Sequence, residues 1–144
     1  MRLTRHTDNA LRCLILLALE PERAVAVPEI ARRMHMSQDH LFKVVGTLGE
    51  LGYVRTTRGR FGGVQLAKPA ENISVGKVVR STEESFALVE CFNPEENDCP
   101  IAPACALATT LDRALKAFLA VLDDVTLADL VAQPRRLERL LRSA

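Results

Sequence analysis

Hydrophobic and polar residues alternate with a helical period along the first half of the chain. A first helix is predicted over residues 7–19, because its apolar residues recur at steps of three and four positions. A second, short helix is predicted from Pro28, since proline is favoured in the first helical turn. The inward positions are Leu11, Leu14, Ile15 and Ala18 in the first helix, and Ile30, Ala31 and Met34 in the second.

A third helix is predicted over residues 38–51, soon after the second. Ser37 is a suitable N-cap for it, and Gly52 is a suitable stop. Its apolar positions are Leu41, Val44, Val45, Leu48 and Leu51. Two helices joined by a tight connection, the second with a capped start, predict a helix-turn-helix.

A short hairpin is predicted directly after Gly52. Residues 53–56 and 64–66 have the composition of two strands, and the glycine-rich turn between them carries Arg58 and Arg60. Two arginines at a hairpin tip suit a phosphate backbone or a narrow minor groove. A basic hairpin alone is usually a solvated turn, but after a helix-turn-helix it predicts the wing of a DNA-binding domain.

The outward positions of the third helix are the candidates for reading double-stranded DNA. Gln38 suits adenine, Asp39 suits cytosine, and Lys43 suits phosphate or guanine. His40 and Glu50 are interpreted equally well as solvated side chains. The predicted DNA-binding residues are Ser37, Gln38, Asp39, His40, Lys43, Arg58 and Arg60.

Charge is distributed unevenly although the net charge is only +1. Residues 1–68 contain 11 Lys and Arg against six Asp and Glu, whereas residues 69–144 contain eight against 12. This asymmetry favours the first half as the part that meets a polyanion. The 144 residues contain no secretion signal and no apolar run long enough for a bilayer, so a soluble, cytoplasmic protein without membrane contact is expected.

The second half is organised around one long, strongly apolar helix over about residues 104–122. Its apolar positions are Leu107, Leu111, Leu115, Phe118 and Leu122. A helix this apolar needs two partners, which predicts packing on its own chain and on a second copy in a homodimer. Ser74 is predicted to cap a short helix before it, Thr126 one after it, and the basic tail 135–139 is predicted to be a solvated helical end.

The fold class that follows is mostly α, in three parts. Residues 1–68 are predicted to form a winged helix-turn-helix domain. Residues 69–106 are predicted to form a connecting helix and a cysteine-bearing loop. Residues 104–144 are predicted to form a dimerisation helix and a C-terminal helix that packs back on the DNA-binding domain.

Three of the four cysteines lie close together in a polar segment that contains prolines. Cys91, Cys99 and Cys105 are separated by gaps of seven and five residues. In a reducing cytoplasm such thiols favour metal ligation or redox sensing over a disulfide. Structural zinc sites normally use pairs spaced by two to four residues, which these gaps do not match. Cys13 lies between apolar residues of the first helix and is predicted to pack in the core.

In combination, these features resemble the NsrR nitric-oxide-sensing repressors over nearly the whole chain. Those repressors belong to the Rrf-type winged-helix regulators, which also include the IscR regulators of iron-sulfur assembly. One departure is Asn9, where many relatives have an aromatic residue. The motifs that carry the resemblance are Leu3-Thr4-Arg5-His6-Thr7-Asp8 with Ala10-Leu11-Arg12, the wing sequence 58–63, Val89-Glu90-Cys91, the sequence 99–105, and the sequences 119–123 and 126–130.

The resemblance implies a sensor as well as a fold. It implies that Cys91, Cys99 and Cys105 bind an iron-sulfur cluster, of the [4Fe-4S] type with Asp8 of the partner subunit as the remaining ligand. Nitric oxide would be the signal and operator DNA the target, so the implied function is transcriptional repression and not catalysis. An Asp8 carboxylate released from the cluster could pair with Arg12, four residues later on the same helix.

Several alternatives stay open from the residues themselves. An IscR-like regulator would hold a [2Fe-2S] cluster, but its histidine three residues after the last cysteine is Ala108 here. His6 could replace Asp8 as the ligand, and Asp8 could serve only to stabilise a helix N-terminus. A cluster-free or zinc-binding regulator would keep the fold, whereas an electron carrier would have no use for a recognition helix.

Overall fold

The computed structural model describes residues 2–59 and 62–142, and its first half is a three-helix unit followed by a hairpin. The strands pair in antiparallel register, with Val54 opposite Leu66. This is the mostly α, winged helix-turn-helix arrangement that the sequence predicts. The elements are α1 (Arg5–Ala18), α2 (Val27–Arg33), α3 (Gln38–Glu50), β1 (Val54–Thr57) and β2 (Gly63–Leu66).

The described part of the second half contains one long helix of 18 residues and three shorter ones of 8, 4 and 9 residues. The 3-10 turn Ala70–Asn72 leads into the first of these helices. Two further 3-10 turns, Glu90–Phe92 and Ala102–Ala104, interrupt the long connection between the first two helices. The helices are α4 (Val75–Thr82), α5 (Ala106–Asp123), α6 (Leu127–Leu130) and α7 (Pro134–Arg142). Among the described helices, none combines the length and apolarity needed to cross a membrane.

Helix α1 lies at the centre of the fold. It packs against α3, α4, α6 and β2, so apolar residues on most of its sides are buried. Leu14 and Leu16 are fully buried, and each such leucine contributes roughly 1.5–3 kcal/mol to folding. Cys13 is also fully buried, and this burial raises the pKa of its thiol to about 12. The prediction that Cys13 is a packing residue is confirmed.

The main core joins α1 to α2, α3, the hairpin and α6. Leu41, Leu48 and Ile30 are fully buried in it, and Leu127 of α6 reaches the same cluster. At its edge, the segment before α2 runs against β2, where Val25 and Val64 form two backbone hydrogen bonds of 2.9 Å. A Cβ at Gly63 would lie 2.7 Å from the Val25 carbonyl carbon, so only glycine fits where the wing joins the core.

A second, smaller cluster joins α4 to α5. Val75, Val79 and Leu119 are its buried members. The two helices approach closely because Gly76 has no side chain, since a Cβ there would lie 2.0 Å from Oδ1 of Asp123. Arg80 of α4 donates a 2.6 Å hydrogen bond to the Asp123 carboxylate at the end of α5. The described structure therefore fixes the last turns of α5 on α4.

Some predicted boundaries were wrong, each for a local reason. Helix α1 begins at Arg5, because Thr4 accepts a hydrogen bond from the Thr7 amide and caps it. Helix α5 begins only at Ala106, since Cys105 has an extended backbone. Leu51 is the exposed C-cap of α3, so the predicted end of this helix at residue 51 was one residue too late. The basic tail forms helix α7, whose residue Leu141 packs against the main core.

Candidate nucleic-acid interface and metal centre

Helix α3 has the two faces required of a recognition helix. Leu41, Val44, Val45 and Leu48 are buried against the core. The predicted DNA-reading side chains Gln38, Asp39, His40 and Lys43 are all exposed in its first two turns. Ser37 occupies the N-cap position, but its side chain makes no capping hydrogen bond, so its hydroxyl is not used within the helix.

Phe42 is a residue that the sequence reasoning missed. Its side chain is 53% exposed, on the outward face of α3 between His40 and Lys43. An exposed aromatic ring beside basic residues suits contact with the methyl group of thymine. The signal was available in the sequence, because the helical period places residue 42 outside the arc of the buried positions Leu41, Val44 and Val45.

The turn between α2 and α3 is anchored to α1. His35 closes this turn with a positive φ of 51°. The Nη2 group of Arg12 donates a hydrogen bond to the backbone carbonyl of Met34, the residue before it. Arg12 therefore links the first helix to the turn that sets the direction of the recognition helix.

An ion-pair network holds α2 against the end of α1. Arg33 is only 10% exposed and contacts Glu20 at 2.7 Å and Glu29 at 3.3 Å. Arg23 also binds both carboxylates, at 2.9 and 2.6 Å. Burial opposes ionisation of Glu20, yet hydrogen bonds from Arg23 and Arg33 lower its pKa, and those from Arg23 lower the pKa of Glu29. The network stays charged at neutral pH and stabilises the position of α2.

The hairpin carries its basic tip away from the core. Arg58 is exposed, and Gly59 beside it has a φ of 105°, a conformation that favours glycine. Arg60 and Phe61 lie outside the described residues, so the predicted contact of Arg60 stays a prediction. The wing position agrees with the predicted role of Arg58 at a phosphate backbone or minor groove.

The three clustered cysteines are free thiols in the connection between α4 and α5. Cys91 lies in a 3-10 turn, Cys105 occupies the N-cap position of α5, and Cys99 lies between them. All three are half-buried. Within the connection, the Asp98 amide donates to Glu90 at 2.8 Å and the Cys99 amide donates to Asn97 at 3.2 Å.

The three thiols are chemically suited to bind a metal ion or a cluster, but in the part of the chain that the structure describes their arrangement is not that of a complete site. Cysteine thiolates are the usual ligands of iron-sulfur clusters, and the three free cysteines belong to neither buried apolar cluster. Across residues 2–59 and 62–142, however, no three Cys, His, Asp or Glu side chains lie together in a group that could hold a metal ion. The residues supply suitable ligands, but a single chain does not assemble them.

Asp8 lies in the first turn of α1 and is not brought to the cysteines within one chain. Its side chain is 57% exposed, and its Oδ2 atom lies 3.5 Å from Nη1 of Arg12. The spacing of four residues predicts this contact, and the structure contains it. Arg12 thus contacts both the candidate metal ligand Asp8 and the helix-turn-helix carbonyl of Met34.

A further link between α1 and the cysteine segment was not predicted. Glu83 ends α4 at the start of the cysteine connection, and its carboxylate accepts hydrogen bonds from Thr4. The Thr4 amide donates at 2.7 Å and its hydroxyl at 3.1 Å. Since 79 residues separate the partners, no local sequence signal could reveal this contact.

Helix α5 presents an apolar stripe that stays exposed in the part of the chain that the structure describes. Leu107 is 62% exposed and Val121 is 65% exposed, while Leu119 is buried against α4. Leu107, Ala114 and Val121 recur every seven residues, the spacing of a helix-helix seam. This is the face expected to meet a second copy.

The chain matches a family of regulators and many of its members. The family model of Rrf2, described as "Iron-dependent Transcriptional regulator", matches residues 3–133. The HTH-type transcriptional regulator NsrR of Bacillus subtilis is 48% identical over 143 residues, covering 99% of this chain and 98% of the relative. Protein aau3 of Rhizobium meliloti is 46% identical over 136 residues, covering 94% of this chain and 88% of the relative. The NsrR relatives are regulators and not enzymes, as the sequence predicts.

Solved structures of related regulators have the same fold. T. potens IscR matches with a TM-score of 0.74 and 25% identity, over 92% of this chain and 87% of that chain. CymR of B. subtilis, described as the global cysteine regulator, matches with a TM-score of 0.74 and 27% identity, over 92% of this chain and 97% of that chain. These matches confirm the predicted fold class.

Proposed function

Because the chain belongs to the Rrf2 family of transcriptional regulators, we propose that it is a cytoplasmic repressor that binds double-stranded operator DNA as a homodimer and releases it in response to nitric oxide. The observation that carries this proposal is the position of Arg12. It contacts Asp8, the candidate sensor ligand, and the Met34 carbonyl in the turn that leads into the recognition helix.

The proposed sensor site consists of Cys91, Cys99 and Cys105, with Asp8 of the partner subunit as the fourth ligand. These residues would hold a [4Fe-4S] cluster, since thiolates are its usual ligands. Such a cluster, when bound, supplies one iron with a weaker carboxylate bond that is open to attack by nitric oxide. The choice of nitric oxide rests on the resemblance of the motifs to those of NsrR repressors.

Asp8 and Arg12 are proposed to convert ligand loss into a helix movement. An Asp8 carboxylate bound to the partner's sensor site would tie the start of α1 to the other subunit. A released Asp8 carboxylate can pair with Arg12, since its Oδ2 atom lies 3.5 Å from Nη1 of Arg12. The Arg12 side chain is 39% exposed and that of Asp8 is 57% exposed, so water screens the ion pair and it is weak. Its proposed effect depends on where the two side chains lie and not on the strength of their attraction. Arg12 also donates a hydrogen bond to the Met34 carbonyl. A change of the Asp8 partner from the cluster to Arg12 would therefore act on the turn before α3.

The proposed DNA contacts follow from the exposed faces. Gln38 and Asp39 would read base edges, and Ser37, His40 and Lys43 would contact bases or phosphates nearby. Arg58 and Arg60 would contact the backbone or minor groove from the wing. Two such surfaces, joined through α5, would contact half-sites about 34–36 Å apart on one face of the duplex.

An IscR-like regulator with a [2Fe-2S] cluster is the second candidate, because T. potens IscR shares the fold. It would use the same three cysteines. Ala108 occupies the position of its histidine ligand, which favours the first candidate. Elemental analysis of anaerobically purified protein distinguishes them, since four irons per site indicate the first and two the second.

Replacing Asp8 by alanine tests the proposed link between sensing and DNA binding. We expect the cluster to assemble on the three cysteines, while the operator affinity becomes nearly independent of cluster state. Wild-type protein should show a ratio of holo to apo affinity between about 5 and 150, the range of ordinary allosteric coupling. The measurement is an anaerobic titration, at one salt concentration, of an operator duplex selected by the holo-protein from a random-sequence pool.

Asp124→Ala is the matched control, because Asp124 is also an exposed aspartate but lies at the C-cap of α5 and not on α1. It should retain the wild-type affinity ratio. An unchanged ratio and an unchanged visible spectrum in Asp8→Ala would show that Asp8 only stabilises the N-terminus of α1.

A further inference from the structure

A cleft of about 150 Å³ separates the first turns of α1 from the recognition helix. Arg5, His6 and Asn9 line it from α1, and His40, Lys43 and Val44 line it from α3. Asn9 and Val44 are buried and form its floor, whereas the basic side chains stand at its rim, where Arg5, His40 and Lys43 are exposed. Two helices thus bring an arginine, a lysine and two histidines to one opening.

The four basic side chains are not neutralised by the protein. Among the described residues, none of them forms an ion pair or a hydrogen bond, and no carboxylate lines the cleft. By contrast, Arg12, Arg23 and Arg33 are each paired with an acidic residue. Asp8 is close in sequence, but its carboxylate is already paired with Arg12. The cleft therefore carries a positive charge that is available to an anion.

We propose that this cleft binds one phosphate of the operator backbone, and that Arg5 and His6 of α1 belong to the DNA interface. The inference rests on the proposed operator binding. A recognition helix in the major groove is flanked by backbone phosphates, and much of the interface hydrogen bonding goes to them. The guanidinium of Arg5 can bind two phosphate oxygens at once, while Lys43 supplies a point charge from the opposite wall.

The position of the cleft gives it a second consequence. Arg5 and His6 share the first turn of α1 with Asp8, the proposed sensor ligand. Their N-cap, Thr4, is bound to Glu83 at the start of the cysteine connection. A movement of this turn would therefore change the distance between Arg5 and Lys43 directly. The proposed phosphate-binding residues and the proposed sensor ligand Asp8 therefore lie in the same first turn of α1.

Arg5→Gln is the first test. The holo-variant should bind the selected operator about tenfold more weakly, because a hydrogen bond to a charged group is lost. The slope of log affinity against log salt concentration should become less steep by about 0.9, which is the value for one phosphate contact. Random-sequence duplex should show a similar loss, since phosphate contacts carry no base information. His6→Gln should show a smaller loss of affinity.

Lys77→Gln is the matched control, because it removes one exposed charge from α4, a helix that packs mainly on α1 and α5. It should leave the affinity and the salt dependence unchanged. A second measurement uses operator duplexes in which one backbone phosphate at a time is a neutral methylphosphonate. At one position of the duplex, this replacement should lower the affinity of the wild-type protein but not that of Arg5→Gln.

Two outcomes would overturn the inference and are distinguishable. If wild-type protein binds the operator, but Arg5→Gln and His6→Gln match it in affinity and salt slope, the cleft is not a phosphate site and the proposed function stands. If wild-type protein selects no operator, both the inference and the proposed function fail.

Discussion

Replacing Cys99 by alanine is expected to abolish stable cluster binding, with loss of iron, sulfide and visible absorption. The three thiolates of Cys91, Cys99 and Cys105 supply most of the proposed ligand set, so removing one leaves too few strong bonds. Cys91→Ala and Cys105→Ala should have the same effect. The fold should survive, because none of the three cysteines belongs to either buried cluster.

Cys13→Ala is the control for this series. Cys13 is fully buried and its raised pKa keeps the thiol protonated, so it does not act as a thiolate ligand. This variant should keep a full cluster. Iron and sulfide analysis of anaerobically purified protein, with circular dichroism to confirm the fold, checks both expectations. A Cys99→Ala protein that retains full iron, sulfide and colour would contradict the ligand assignment.

Replacing Val121 by glutamate is expected to separate the homodimer and to lower operator affinity by about 10²- to 10⁴-fold. Val121 is 65% exposed in the single chain, so the charge does not disturb the fold of the monomer. In a dimer joined through α5 it would bury an unpaired carboxylate, which is strongly unfavourable. The loss of affinity follows because a monomer binds one half-site without the gain from a linked second site.

Thr109→Glu is the control, since Thr109 is exposed on a different face of α5. Sedimentation measurements should find it dimeric and Val121→Glu monomeric. In operator titrations, Thr109→Glu should keep the wild-type affinity, and Val121→Glu should bind about 10²- to 10⁴-fold more weakly. A Val121→Glu protein that remains a dimer with wild-type affinity would place the interface elsewhere.

The DNA-binding half could be predicted well from the sequence because its signals are local. Helical spacing identified the buried face of α3, and Gly52 was expected to stop it. The structure gives Gly52 a φ of 71°, which explains that choice of residue. Phe42 was not predicted as a DNA-contact residue, although the same spacing places it outside the buried face, because a large apolar side chain usually indicates burial.

The second half of the chain, and the places where distant segments meet, were harder to predict because their contacts are not local. The hydrogen bonds from Thr4 to Glu83 join residues far apart in the chain, and the cleft between α1 and α3 depends on how two helices cross. The cysteine connection has no apolar period from which its course could be predicted. Its proposed ligand role rests on the resemblance to known repressors, since the donors are not assembled into a metal site within the residues that the structure describes.

The most direct test of the central claim is the operator affinity of wild-type protein in three states, measured anaerobically at one salt concentration. The states are the holo-protein, the apo-protein, and the holo-protein after exposure to nitric oxide. We expect the holo-protein to bind about 5- to 150-fold more tightly than the apo-protein, and nitric oxide to lower its affinity to the apo value. Equal affinity in all three states, or tighter binding by the apo-protein, would contradict it.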